Sequence, residues 1–153
     1  MKNIENGAAE SGCEYVNGIK LTGSEKFIEK TKRALALMPT EHLDFAVEHL
    51  GEIYETEQSG VMPSHAPARF GVGKRTWNAS LTWYASCIVH DANHVWLYRK
   101  GEPHSGKDAE RKCMEKQIAF LEAISAPKSE IAHLKNLIKT EHDYWSDRSK
   151  VTW

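Results

Sequence analysis

The segment at 81–100 constrains this chain most strongly, because its apolar residues recur with the spacing of a central α-helix. Residues 88–94 of this segment read IVHDANH and carry two histidines, His90 and His94, four positions apart. Positions i and i+4 lie on one face of a helix, one turn apart. Two neutral imidazoles in that arrangement can bind a single divalent metal ion. The sequence therefore predicts a metal site on the central helix.

A metal site needs more than two histidine ligands, and Glu110 is the best candidate for the third. It follows a Gly/Pro-rich break and falls in the first turn of the next predicted helix, on a stripe that also carries Cys113 and Gln117. A carboxylate on an otherwise apolar stripe is expected to be paired or bound to a metal. Cys113 is an alternative third ligand, and a thiolate there indicates a structural or inhibited site. Gln117 is expected either to hydrogen-bond a ligand or to be exposed.

The order of these residues resembles that of the glutamate zincins, a class of zinc metallopeptidases. In that class one helix carries His-Glu-x-x-His, and a second helix after a turn supplies a glutamate. The matching residues here are His90, Asp91 and His94 and then Glu110, within a resemblance that spans about residues 69–121. Small stand-alone zincin-like domains whose second helix reads Ala-Glu-x-x-Cys-x-x-x-Gln are especially similar.

The resemblance implies a zinc-dependent hydrolase, and more finely a metallopeptidase that acts on a peptide or protein substrate. It implies one zinc ion per chain held by His90, His94 and Glu110, with Asp91 as the general base that takes a proton from the attacking water. Iron and manganese also suit a site of two histidines and a carboxylate. The strand before the helix is implied to line the substrate cleft and to pair with extended peptide. The candidate donors to the oxyanion are Tyr84, Tyr98, His104, His142 and Tyr144.

The chain departs from the family at Asp91, where the zincins have glutamate. Aspartate is one methylene shorter, and a misplacement of about 1 Å can lower a rate on the order of a hundredfold. Three outcomes are open: catalysis with a shifted water, hydrolysis of something other than peptides, or metal binding without turnover. The third outcome is a catalytically inactive zincin-like binding module, which is one alternative to a hydrolase.

A second alternative is a metal phosphohydrolase, because the adjacent His90 and Asp91 also resemble the doublet of the HD-type enzymes. Those enzymes are all-helical and need a further histidine upstream and an aspartate downstream on the metal. The available residues are His42, His49 or His65 upstream and Asp143 or Asp147 downstream. The helical pattern that continues beyond the doublet disfavours this alternative. In a purely structural interpretation, the two histidines of the central helix are core residues that bond to backbone carbonyls.

The overall composition argues against several classes of function. The chain has 153 residues, 20 basic and 21 acidic, and a formal charge of −1, so no net field favours nucleic acid or an anionic membrane. No run of about 18 apolar residues is available to span a bilayer. Three cysteines are too few for a disulfide framework. We therefore expect a soluble, cytoplasmic protein, since no signal peptide is visible; a mature secreted form is an alternative, and the oligomeric state is left open.

The predicted fold class is α+β and predominantly helical, a zincin-like minimal domain with about five helices and a small, short-stranded sheet. Residues 1–14 are expected to form a flexible tail and residues 15–153 a single domain. Strands are predicted at 15–21, around an Asn-Gly turn, and at 69–76, as a short exposed strand weakened by two glycines. Helices are predicted after Ser24, from Thr40 with Ile53 on the apolar face, after Ser80, from about Asp108 and from about Ser129.

Overall fold

Six helices and a five-stranded mixed sheet form residues 11–140, the part of the chain that this computed structural model describes. The strands are β1 (Ser11–Val16), β2 (Ile19–Ser24), β3 (Glu52–Glu55), β4 (Gly60–Met62) and β5 (Arg69–Val72). The helices are α1 (Glu25–Ala36), α2 (Thr40–His49), α3 (Lys74–Trp77), α4 (Leu81–Arg99), α5 (Lys107–Ala123) and α6 (Lys128–Thr140). The predicted fold class, α+β and predominantly helical, is confirmed.

The sheet has the strand order β1-β2-β3-β5-β4. Strands β1 and β2 form the predicted hairpin and turn through Asn17 and Gly18, which have positive φ angles of 52° and 87°. Asparagine and glycine tolerate this backbone region best, which explains the turn at this pair. Strands β2, β3 and β5 are parallel, and β4 is antiparallel to β5. Residues 11–14 pair with residues 21–24, so they belong to the sheet and not to the tail predicted at 1–14.

Strand β3 replaces the end of the predicted second helix. Ile53 lies in this strand, paired with Leu21 of β2 and Phe70 of β5, and all three side chains are fully buried. The preceding Gly51 packs so tightly against Pro67 that an added Cβ would lie 2.1 Å from the proline ring. The prediction of Ile53 on a helix is therefore wrong, because a short apolar repeat suits either element and packing in the sheet decides between them.

Strand β5 lies inside the sheet, between β3 and β4, so the prediction of an exposed strand is wrong. Phe70 and Val72 are fully buried on its core face. Gly71 faces Tyr54 so closely that an added Cβ would lie 2.9 Å from the aromatic ring. The glycine therefore marks the close approach of a neighbouring side chain rather than a sheet edge. The edge beside β5 is formed by β4, which the sequence patterns do not predict.

Helix α4 packs against α1, α2, α3, α5 and β4. Ser80 caps it as predicted, because its hydroxyl accepts a hydrogen bond from the backbone N–H of Trp83 (3.1 Å). Fourteen of its nineteen residues are buried, so its polar side chains need partners inside the protein. Among the helices described within residues 11–140, none combines the length and apolar content that a membrane span requires.

Candidate metal centre

Helices α4 and α5 bring the three predicted metal ligands together. The turn between the helices uses two glycines with positive φ, Gly101 (76°) and Gly106 (95°). Glu110 lies in the first turn of α5. One oxygen of its carboxylate is 3.2 Å from Nε2 of His90, and the other is 3.0 Å from Nε2 of His94. A single carboxylate therefore bridges two imidazoles that are one helical turn apart.

The second ring nitrogen of each histidine has its own hydrogen-bond partner. Nδ1 of His90 is 2.8 Å from Oε1 of Gln117, whose Nε2 donates to Oγ of Ser86 (2.9 Å). An amide oxygen can only accept, so His90 donates from Nδ1. Nδ1 of His94 donates to the backbone carbonyl of His104 (2.7 Å). Both Nε2 atoms therefore face the carboxylate, and carbonyl acceptors of this kind orient the histidine ligands of metal ions.

The charges at this centre are strongly coupled. Burial lowers the pKa of His90, but the hydrogen bond and charge of Glu110 outweigh burial and raise this pKa to about 9. The pKa of His94 rises well above its usual value, because Cys113 and Glu110 likewise outweigh burial. Burial raises the pKa of Glu110, but its two histidine partners hold that pKa far below the usual carboxyl value. A divalent cation that binds here would take the place of protons at the two Nε2 atoms, so metal binding is coupled to proton release.

A buried thiol lies beside the two histidines. His90, His94 and Cys113 each offer one ligand atom, and these atoms all lie within 4.8 Å of one another. All three side chains are buried, and Nδ2 of Asn93 donates to Sγ of Cys113 (3.5 Å). Imidazole nitrogen and thiolate sulfur are ligands that zinc prefers. This buried His-His-Cys group can therefore bind a metal ion, and the carboxylate of Glu110 adds an oxygen donor.

Asp91, the predicted general base, lies within α4 and is 6% exposed. Burial and then the charge of Asp91 raise the pKa of the Cys87 thiol, one turn earlier on the helix. The same charge also contributes to the raised pKa values of His90 and His94. The carboxylate of Asp91 is therefore electrostatically coupled to the metal centre.

The candidate oxyanion donors occupy different places. The hydroxyl of Tyr84 is buried, 2.7 Å from the hydroxyl of a threonine on α1. The rings of Tyr98 and His104 stack with centroids 5.0 Å apart, and Tyr98 is 42% exposed. Two further candidates, His142 and Tyr144, lie outside the described residues. Of this pair, His104 contacts the metal centre through its backbone carbonyl, which accepts from Nδ1 of His94 (2.7 Å).

Two of the upstream histidines considered for a phosphohydrolase site, His42 and His49, pack against aromatic rings. The ring of His42 packs edge-on against Phe120, with centroids 5.1 Å apart. The ring of His49 packs against Phe45, and its Nδ1 accepts a hydrogen bond from Arg99 (3.1 Å). The other candidates for that site are His65, which is exposed, and Asp143 and Asp147, which lie outside the described residues. These contacts give no support to a metal role for His42 or His49.

Three further groups at the centre were not identified from the sequence. The acceptor for His94 is the backbone carbonyl of His104. Any residue has such a carbonyl, so the identity of residue 104 does not predict this contact. Ser86 and Asn93 are both buried polar residues of α4. A polar residue inside an apolar helix needs a partner, and this anomaly is the signal by which both could have been found.

Comparisons of this chain with protein-family models, with curated proteins and with solved structures found no match. The resemblance to the glutamate zincins therefore depends on the motif residues alone. A function for the chain has to be argued from the geometry and chemistry of the metal centre.

Proposed function

We propose that this protein is a zinc-dependent hydrolase of the zincin type that acts on peptides. The observation that carries the proposal is the convergence of Nε2 of His90 and Nε2 of His94 on the carboxylate of Glu110, at 3.2 and 3.0 Å. Nitrogen and oxygen donors that bind one tetrahedral zinc ion lie about 3.3 Å from each other. The two measured separations between imidazole nitrogen and carboxylate oxygen are therefore close to those of ligands on one zinc ion.

The proposed chemistry divides the work among these residues. A bound zinc ion supplies Lewis acidity, which acidifies water and polarises a carbonyl group. Gln117 and the carbonyl of His104 keep the two imidazoles aligned. Asp91 accepts the proton of the attacking water and donates it to the leaving amine. Because aspartate is shorter than the glutamate of the zincins, we expect a slow hydrolase.

A peptide substrate is proposed from the sheet edge together with the zincin resemblance. Strand β5, which the resemblance implies for peptide pairing, already has a strand on each side. Strand β4 forms one edge of the sheet and packs against α4, the helix that carries the two histidines. An edge strand can pair with an extended peptide through main-chain hydrogen bonds. A binding module that holds metal and peptide without turnover is the second candidate, and the short side chain of Asp91 favours it.

The first experiment is the zinc content of purified protein, in the wild type and in four variants. We expect about one zinc ion per chain in the wild type and in Asp91→Asn, weaker zinc binding in Glu110→Ala, and a loss of zinc in His94→Ala. Glu115→Ala, an exposed glutamate on the same helix, is the matched control and should keep its zinc. A full equivalent of metal in His94→Ala, or no metal in the wild type after reconstitution, would refute the ligand assignment.

The role of Asp91 is tested by exchanging it for glutamate. If Asp91 is a general base, Asp91→Glu keeps its zinc and has equal or higher peptidase activity, whereas Asp91→Asn keeps zinc and loses activity. Hydrolysis of a quenched-fluorescence peptide library measures this activity. Loss of metal from Asp91→Glu would mean that Asp91 is itself a ligand, as a phosphohydrolase site requires. Zinc without activity in all three proteins would favour the binding module.

A further inference from the structure

The buried thiol of Cys113 lies next to the proposed three-ligand site but has no role in it. Cys113 follows Glu110 by three residues on α5, and residues at i and i+3 lie on the same side of a helix. Its sulfur is within 4.8 Å of the ligand atoms of both His90 and His94. The side chain has no solvent exposure. A nucleophilic sulfur is therefore enclosed beside the place where a metal would bind.

The structure assigns a closed coordination sphere to this centre: we propose that Cys113 binds the metal as a fourth protein ligand, together with His90, His94 and Glu110. Nitrogen and sulfur donors on one tetrahedral zinc ion are about 3.6 Å apart, so a shift on the order of 1 Å brings Sγ into position. On binding, the S–H bond breaks, the proton leaves to solvent, and the electron pair of the sulfur binds the metal. This inference rests on the metal site of the proposed function and adds that the site is closed at rest.

A closed site has a different chemistry from an open one. Catalytic zinc sites keep one position for water, whereas sites with four protein ligands are closed. Water can then reach the metal only after Cys113 leaves it, so the resting hydrolase is inhibited by its own thiol. A thiolate ligand also makes the site softer and favours zinc or cobalt over manganese.

The chain offers a matched control for this thiol. Cys87 is also fully buried, but its sulfur accepts a long hydrogen bond from Nε2 of Gln117 (3.9 Å) and belongs to no metal-binding group among residues 11–140. Cys13 is exposed on β1. The chain has three cysteines, so the double variant Cys13→Ser, Cys87→Ala keeps Cys113 as its single thiol.

Cobalt(II) in place of zinc tests the proposal without any assay of activity. A cobalt–thiolate bond gives a near-ultraviolet charge-transfer band, and an added hydroxamate changes the visible d–d spectrum only when the metal has an open position. We expect the wild type and the double variant to show the charge-transfer band and no response to acetohydroxamate. We expect Cys113→Ser and Cys113→Ala to bind cobalt without the band and to respond to acetohydroxamate.

The outcomes separate this inference from the proposed function. Cobalt bound to the wild type without the charge-transfer band, or with a spectrum that acetohydroxamate changes, would overturn the closed site and leave the three-ligand hydrolase site in place. If the wild type binds no cobalt or zinc, both proposals fail together. The measurements on the wild type and on the double variant need no substitution at position 113, so poor folding of the Cys113 variants would not prevent the test.

Discussion

Gln117 determines which nitrogen of His90 is available to a metal. Its amide oxygen accepts the Nδ1 proton at 2.8 Å, and its amide nitrogen donates to Ser86 in a region without solvent exposure. Gln117→Leu removes both of these hydrogen bonds and takes away the acceptor of the buried Nδ1 of His90, whereas the Ser86 hydroxyl still donates to a backbone carbonyl (2.6 Å). We expect the free energy of unfolding to fall by about 1–3 kcal/mol. We also expect the zinc affinity to fall roughly 10–100-fold. Urea unfolding and competition titration with a zinc chelator measure the two effects.

Gln117→Glu is the matched control for this effect. It keeps an oxygen that can accept from His90, but it loses the donor to Ser86. We therefore expect a zinc affinity close to that of the wild type together with a loss of stability. If both variants lose zinc affinity equally, the cause is general damage to the core, and the orientation of His90 by Gln117 is ruled out.

At the scale of single residues, the sequence predicts which side chains are candidate ligands better than it predicts how their rings are oriented. His90 and His94 are identifiable because a spacing of four residues has one geometric meaning on a helix. Glu110 is identifiable because a carboxylate on an apolar stripe needs a partner. The tautomers of the two histidines depend on a glutamine one helix away and on a backbone carbonyl. Neither of these partners can be predicted from the residues next to the histidines in the sequence.

Among the elements, α4 was predictable and β3 was not, for a physical reason. Helix α4 has a capping serine and a long apolar run, so local and tertiary preferences agree. At Ile53 the apolar spacing fits a helix or a strand, and the pairing with Leu21 and Phe70 decides. For β5, the glycine that argued against an interior strand is required there by the ring of Tyr54.

The contact between the C-terminal ends of α2 and α4 predicts a pH dependence of stability. Nη1 of Arg99 donates to Nδ1 of His49 (3.1 Å) and to the carbonyl of Glu48 (2.8 Å), so Nδ1 must be unprotonated. Burial lowers the pKa of His49 below its ordinary value of 6.5, and the charge of Arg99 lowers it further, against the effect of Glu48. Below about pH 6.5 the unfolded chain therefore binds more protons than the folded chain, and the free energy of unfolding falls.

His49→Gln isolates this contribution, because glutamine offers an acceptor to Arg99 and does not titrate. Urea unfolding at pH values from 7.5 down to 5 should give a smaller loss of stability in His49→Gln than in the wild type. The remaining slope includes His42, whose pKa is also lowered by burial. Identical slopes in the two proteins would mean that His49 is already protonated in the folded state, contrary to its hydrogen bond with Arg99.

For the whole molecule, features built from residues close in the sequence were easier to predict than features that depend on contacts between distant segments. All four candidate ligands lie within residues 90–113, on two consecutive helices joined by one turn. The spacing of such residues along the chain is enough to predict a candidate site. The strand order places β5 between β3 and β4, an arrangement that depends on pairings between distant segments. The distance between Cys113 and the two histidines also depends on how α4 and α5 pack, which spacing along one helix does not determine.

Because the candidate ligands come from both α4 and α5, metal binding should stabilise the whole fold. The unfolded chain has no preformed site, so zinc at a free concentration of 100 times its Kd adds about 2.7 kcal/mol to the free energy of unfolding. For a chain of this size, this corresponds to a rise in Tm of about 5–11 °C. Differential scanning calorimetry with and without zinc measures the rise, which His94→Ala should abolish and Glu115→Ala should retain. An equal rise in His94→Ala would mean that zinc stabilises the protein at another site.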